Sequence, residues 1–85
     1  MNITLRFFAG VREALGTATL PLTVADDVTT VGQVRSLLIG RGGPWAEALG
    51  QTRPLRMACN QVMCDASARL SEACEVAFFP PVTGG

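Results

Sequence analysis

The residues best placed to do chemistry are the six that close the sequence, Pro80-Pro81-Val82-Thr83-Gly84-Gly85. Two adjacent prolines lack backbone N–H donors and favour an extended path, so the chain must leave any sheet there. Six extended residues reach about 20 Å, enough to carry a terminus off the domain body and into a cleft on another protein. The glycines add no side chain, so the end of such a tail fits a narrow channel and takes any backbone angle inside it. A carboxyl at Gly85 has a reference pKa of about 3.3–3.7 and is an anion at neutral pH, so it resists nucleophiles until it is activated. Adenylation by ATP on a partner would make AMP the leaving group. Attack by a persulfide or sulfide donor would then give a thiocarboxylate, a tethered sulfur donor whose delivery gains from proximity and orientation. The chemical role is therefore expected at Gly85, with Gly84 supplying tail flexibility.

The rest of the composition points away from self-contained catalysis. The 85 residues include no histidine and no tyrosine, and they show no nucleophile motif and no carboxylate pair placed for acid and base roles. Gly40-Arg41-Gly42-Gly43 lacks the Gly-Lys-Ser/Thr ending of a phosphate loop and follows a helical pattern, so it reads as a helix stop. No cofactor is expected on this chain, and ATP would be used by the activating partner. Cys59, Cys64 and Cys74 are odd in number and lack CxxC spacing, which fits small apolar fillers better than a disulfide framework or a zinc site. Seven basic residues balance seven acidic ones with no basic cluster, so nucleic acid is not an expected ligand. The N-terminus lacks the apolar core of a signal peptide and no apolar run approaches a membrane span, so a cytoplasmic protein that makes no use of a membrane is expected.

The elements that must carry the tail follow from periodicity. Residues 2–8 alternate as a half-buried strand, Ile3, Leu5 and Phe7 inward and Asn2, Thr4, Arg6 and Phe8 outward. Gly10 is read as the strand's break, Val11 to Leu15 as one helical turn, and residues 17–24 as a second strand forming a hairpin with the first, with Pro21 near an edge. Thr29 or Thr30 caps a helix whose apolar stripe is Val31, Val34, Leu37 and Leu38. Pro44 to Leu49 forms a short second helix closed by Gly50, with Trp45 as a core anchor. Beyond Arg53 alternation returns, with Leu55, Met57 and Cys59 facing one way and Arg56, Ala58 and Asn60 the other. Asn60-Gln61 offers turn chemistry into a short strand at Val62 to Cys64. Cys74 to Phe79 is the closing strand, Val76 and Phe78 opposed to Ala77 and Phe79.

This order predicts an α+β domain over residues 1–79, a sheet with one main helix packed on one face, followed by an extended tail at 80–85. The second face of the sheet stays open and holds Phe8 and Phe79. Leaving both wet would forgo about 3–6 kcal/mol, comparable to the net stability of a small domain. Such a pair is expected in a partner-binding patch.

The run Glu75-Val76-Ala77-Phe78-Phe79-Pro80-Pro81-Val82-Thr83-Gly84-Gly85 closely resembles the closing signature of molybdopterin synthase small subunits. Leu5 to Gly16 is similar to that family's first strand and turn, and Ala58-Cys59-Asn60-Gln61 to its central strand ending in Val-Asn. The resemblance implies a β-grasp fold like that of ubiquitin with a mixed sheet, a ubiquitin-activating-type adenylyltransferase, a persulfide donor, and a large synthase subunit, assembled two-plus-two, in which cyclic pyranopterin monophosphate receives sulfur. It implies Gly85 as the thiocarboxylate and Phe8, Phe79, Arg12 and Met63 as partner contacts, with Pro80, Pro81, Val82 and Thr83 entering the partner. Ser71-Glu72-Ala73-Cys74 departs from the family's acidic Asp-Gly-Asp type of turn. A carrier for thiamine thiazole or another thio-compound, and a ubiquitin-like modifier joined to lysines, share the fold and the activated end; the Phe-Phe-Pro-Pro run favours molybdopterin.

Overall fold

In the computed structural model, which describes residues 1–81, eight elements follow one another along the chain. They are β1 (Asn2–Phe7), α1 (Ala9–Leu15), β2 (Thr19–Thr23), α2 (Val31–Ile39), α3 (Gly43–Leu49), β3 (Arg56–Cys59), β4 (Val62–Cys64) and β5 (Glu75–Phe79). The tail residues Val82, Thr83, Gly84 and Gly85 lie outside the described residues.

The strands form one mixed sheet in the order β2-β1-β5-β3-β4. β1 runs antiparallel to β2 and parallel to β5, while β3 is antiparallel to both β5 and β4. Helices cover one face, which is the β-grasp arrangement. Alternation in β1 buries Ile3, Leu5 and Phe7, and alternation in β5 turns Val76 and Phe78 the same way. Paired in register, Phe7 and Phe78 stack with ring centroids 6.3 Å apart. Trp45 meets Phe7 edge-on at 5.9 Å, which ties α3 to the sheet as a core anchor should. Fully burying such rings is worth about 1.5–3 kcal/mol each, so this layer carries much of the fold.

α2 begins where local chemistry allows it. The Thr30 hydroxyl accepts from the Gln33 N–H at 3.3 Å, and the Gln33 Oε1 accepts from the Thr30 N–H at 3.0 Å, a capping box that uses two otherwise idle donors. The next two donors, Val31 N–H and Gly32 N–H, reach the carbonyls of Ala68 and Ala66. Gly32 is required there, because an added Cβ would sit 2.9 Å from the Ala66 Cβ and 3.0 Å from its carbonyl oxygen.

Two details differ from the sequence reading. α1 is a seven-residue helix containing Gly10, and the break after β1 falls at Ala9, whose φ of 51° turns the chain out of the sheet. The buried stripe of α2 is Val31, Val34, Arg35 and Leu38, with Leu37 47% exposed. At about 100° per residue, position 35 lies closer to position 31 around the helix than position 37 does, so geometry outranks hydropathy. As expected, β1 and β2 pair across a helical segment, α1, which ends at Gly16 in the left-handed conformation.

Candidate functional site

The open sheet face is built from the outward positions of four strands. Ala58 on β3 lies opposite both Ala77 of β5 and Met63 of β4, and Arg6 of β1 lies beside Ala77. Two methyl side chains at adjacent positions leave a depression, and larger groups stand around it. The result is a hollow of about 470 Å³ floored by Ala58 and Ala77 and bordered by Phe8, Phe79, Met63 and Pro80. Met63 and its neighbour Val62 are largely exposed on β4, the short strand at the sheet edge.

Phe8 and Phe79 meet on this face. Their rings are perpendicular, with centroids 6.3 Å apart, so each shields part of the other. Phe79 is half-buried as a result, and Phe8 remains 40% exposed. The outward placement expected from alternation holds for both, while the cost of wetting is smaller than two isolated rings would carry. Arg6 braces two residues of this face from β1: its guanidinium carbon lies 5.5 Å from the Phe8 ring centroid and its Nη1 is 3.4 Å from Glu75 Oε2. Both side chains of that pair are partly exposed, so its worth is in orientation more than in energy. The buried Arg6 Nε has no hydrogen-bond partner among the described residues.

The tail root is positioned by the same elements. β5 ends at Phe79, opposite Arg56 of β3. Pro80 then borders the hollow on one side and, with Pro81, a groove of about 400 Å³ on the other, between α1 (Val11, Ala14) and the α3–β3 connection (Arg53, Pro54). The chain therefore leaves the domain between an apolar face and a groove, from the end of a central strand.

Phe8, Phe79, Met63 and Pro80 thus come together, and Pro81 adjoins them. Arg12 is exposed on α1 and does not line the hollow. Val82, Thr83, Gly84 and Gly85 are outside the described residues. The sequence reading passed over Ala9, Gln61 and Glu75 as members of this face; the alternation that placed Ala77 outward also places Glu75 there, while Ala9 and Gln61 depend on turn geometry. Cys59 and Cys64 are half-buried and Cys74 is buried at the edge of the core. Burial pushes the Cys59 thiol above its ordinary value, with Cys74 and Cys64 adding to the effect. Burial does the same to Cys64, helped by Asp65. Raised thiols are poor nucleophiles, in keeping with a packing role. Among the described residues no cluster suits a metal ion, and no helix is long and apolar enough to cross a membrane.

Comparison with known proteins agrees with this architecture. Two curated relatives are both named molybdopterin synthase sulfur carrier subunit. The one from Haemophilus influenzae is 40% identical over 79 residues, covering 93% of this chain and 94% of its own. The one from Escherichia coli K12 is 42% identical over 83 residues, covering 98% and 99%. Among solved structures, the Haloferax volcanii HVO 2177 protein superposes with a TM-score of 0.79 at 30% identity, over 100% of this chain and 87% of that one. The complex of subunits 1 and 2 of molybdopterin-converting factor from Helicobacter pylori contains a chain with a TM-score of 0.70 at 21% identity, covering 100% of both. A family model described as the ThiS family matches residues 5–85. With that match spanning nearly the whole sequence and two relatives at 40% and 42% identity covering 93% and 98% of it, the chain belongs to the ThiS family and has a ubiquitin-like β-grasp fold.

Proposed function

We propose that this chain is the sulfur-carrying subunit of a molybdopterin synthase, acting in molybdenum cofactor biosynthesis through the carboxyl group of Gly85. A ubiquitin-activating-type adenylyltransferase joins that carboxylate to the AMP moiety of ATP and releases pyrophosphate. A persulfide attacks the acyl carbon and expels AMP, leaving an acyl disulfide; thiol reduction of its S–S bond gives the thiocarboxylate. In the large subunit the sulfur of that group attacks cyclic pyranopterin monophosphate, and hydrolysis returns the carboxylate. This chain supplies the handle and the acyl group, and the active site belongs to the large subunit. No cofactor need be held by the carrier itself.

One observation supports this reading above others: the apolar hollow of Phe8, Phe79 and Met63 reaches the tail root at Pro80. A partner seated on that face is automatically beside the emerging tail, so docking and delivery are one event. Named relatives with the same function and a solved two-subunit complex with the same fold add to it.

Intact-mass spectrometry of protein purified from its own cells tests the chemistry. A fraction heavier by one oxygen-to-sulfur exchange, mapped to the C-terminal peptide, is expected. A variant lacking Gly85 is expected not to restore cofactor synthesis in a null strain, and restoration would overturn the reading. Co-purification of a large synthase subunit separates this role from thiazole synthesis.

A further inference from the structure

The β3–β4 turn has a feature that the fold does not need. Cys59 and Val62 pair across it, so Asn60 and Gln61 form a two-residue loop. Their φ values are 50° and 67°, as a type I′ turn requires at both central positions. Such turns favour Asn followed by Gly, because a side chain in the second position is held in a strained backbone region. Asn60 suits its place. Its N–H donates to the Glu75 carbonyl at 2.8 Å and its Oδ1 accepts from the Glu75 N–H at 2.9 Å, which locks the turn onto β5.

Gln61 has no such explanation. Among the described residues its carboxamide joins none of these hydrogen bonds, and the side chain is exposed. It borders the hollow, as Met63 and Glu75 do, from the turn that leads into the edge strand β4. Glycine would relax the backbone and leave the turn's hydrogen bonds intact, yet a long polar side chain stands there.

We infer that Gln61 is a specificity-determining contact, its carboxamide hydrogen-bonding to main-chain groups of the partner protein at the polar rim of the apolar docking face. A carboxamide offers both donor and acceptor, which matches an exposed peptide group. The apolar floor would supply burial and Gln61 the register, since a partner misplaced along the sheet would leave this pair unmatched. The inference rests on the docking role proposed for the open face.

Thermal unfolding and calorimetric binding to the purified large synthase subunit, measured on Gln61→Gly, Gln61→Ala and Phe79→Ala, test it. Gln61→Gly is expected to raise Tm by roughly 4 °C or more. The same variant is expected to weaken the complex about fivefold, the effect of one lost hydrogen bond. A merely structural residue would move stability and leave affinity alone. Gln61→Ala keeps a Cβ in the turn and is expected to lose affinity equally; full affinity in the alanine variant would assign the glycine effect to loop mobility and overturn the inference. Unchanged affinity in both Gln61 variants while Phe79→Ala weakens binding overturns it as well, with the docking face intact. If Phe79→Ala also binds normally, the docking reading falls together with it.

Discussion

Arg35 sits on the core-facing side of α2 and uses its donors on carbonyl oxygens instead of a carboxylate. Its Nε donates to the Leu49 carbonyl at 2.7 Å, and its Nη2 to those of Gly50 at 2.7 Å and Arg53 at 3.3 Å. Leu49 ends α3, so a cation here meets the negative end of that helix and satisfies carbonyls left without helical partners. Burial draws the guanidinium below its usual pKa without discharging it. Arg35→Met is expected to cost about 3 kcal/mol in urea unfolding, because buried carbonyls lose their donors. Leu37 shows the opposite error of a hydropathy reading, an apolar residue on the wet side of the same helix. Neither could be assigned by residue type; both follow once angular position is counted. Phe8 and Phe79, in contrast, were legible, since in each Phe-Phe pair strict alternation leaves one ring outside the core. Phe79→Ala is expected to weaken binding to the large subunit by about 1–3 kcal/mol in calorimetric titration.

At the level of elements, local signals predicted what local chemistry decides. The Thr30 cap, the proline in the first turn of α3 and the turn at Asn60 stand where their residue types place them. The Ser71-Glu72-Ala73-Cys74 segment was opaque because its conformation is set by distant contacts. The Glu72 carboxylate accepts from the Asn2 N–H at 3.1 Å and the Ala73 N–H donates to the Asn2 carbonyl at 2.7 Å, which fastens this turn to the start of β1. Ala73 adopts a φ of 65° to do so. Ala73→Gly is therefore expected to stabilise the domain by about 0.5–1 kcal/mol in urea, the relief of a left-handed alanine outweighing the added freedom of the unfolded chain. Cys74, expected as a small apolar filler, fills the core beneath this turn, 2% exposed.

For the whole molecule, the decisive pairing is between the first strand and the last. β1 and β5 lie side by side in the middle of the sheet, and residues that meet across them, such as Arg6 and Glu75, are 69 positions apart. Periodicity could place each strand but not order them; the parallel neighbours became legible only through resemblance to a known family. Since β5 separates β1 from β3, a chain ending at Cys74 is left with two hairpin fragments and no central strand. Such a truncation is expected to show no cooperative urea transition by circular dichroism.

The position of β5 also governs when the protein can fold during its synthesis. Long-range pairing must wait until both strands are free of the ribosome, so sheet closure is delayed until Phe79 emerges from the exit tunnel. A translation product that stalls early therefore lacks its central strand and presents exposed apolar segments to the cell's proteases.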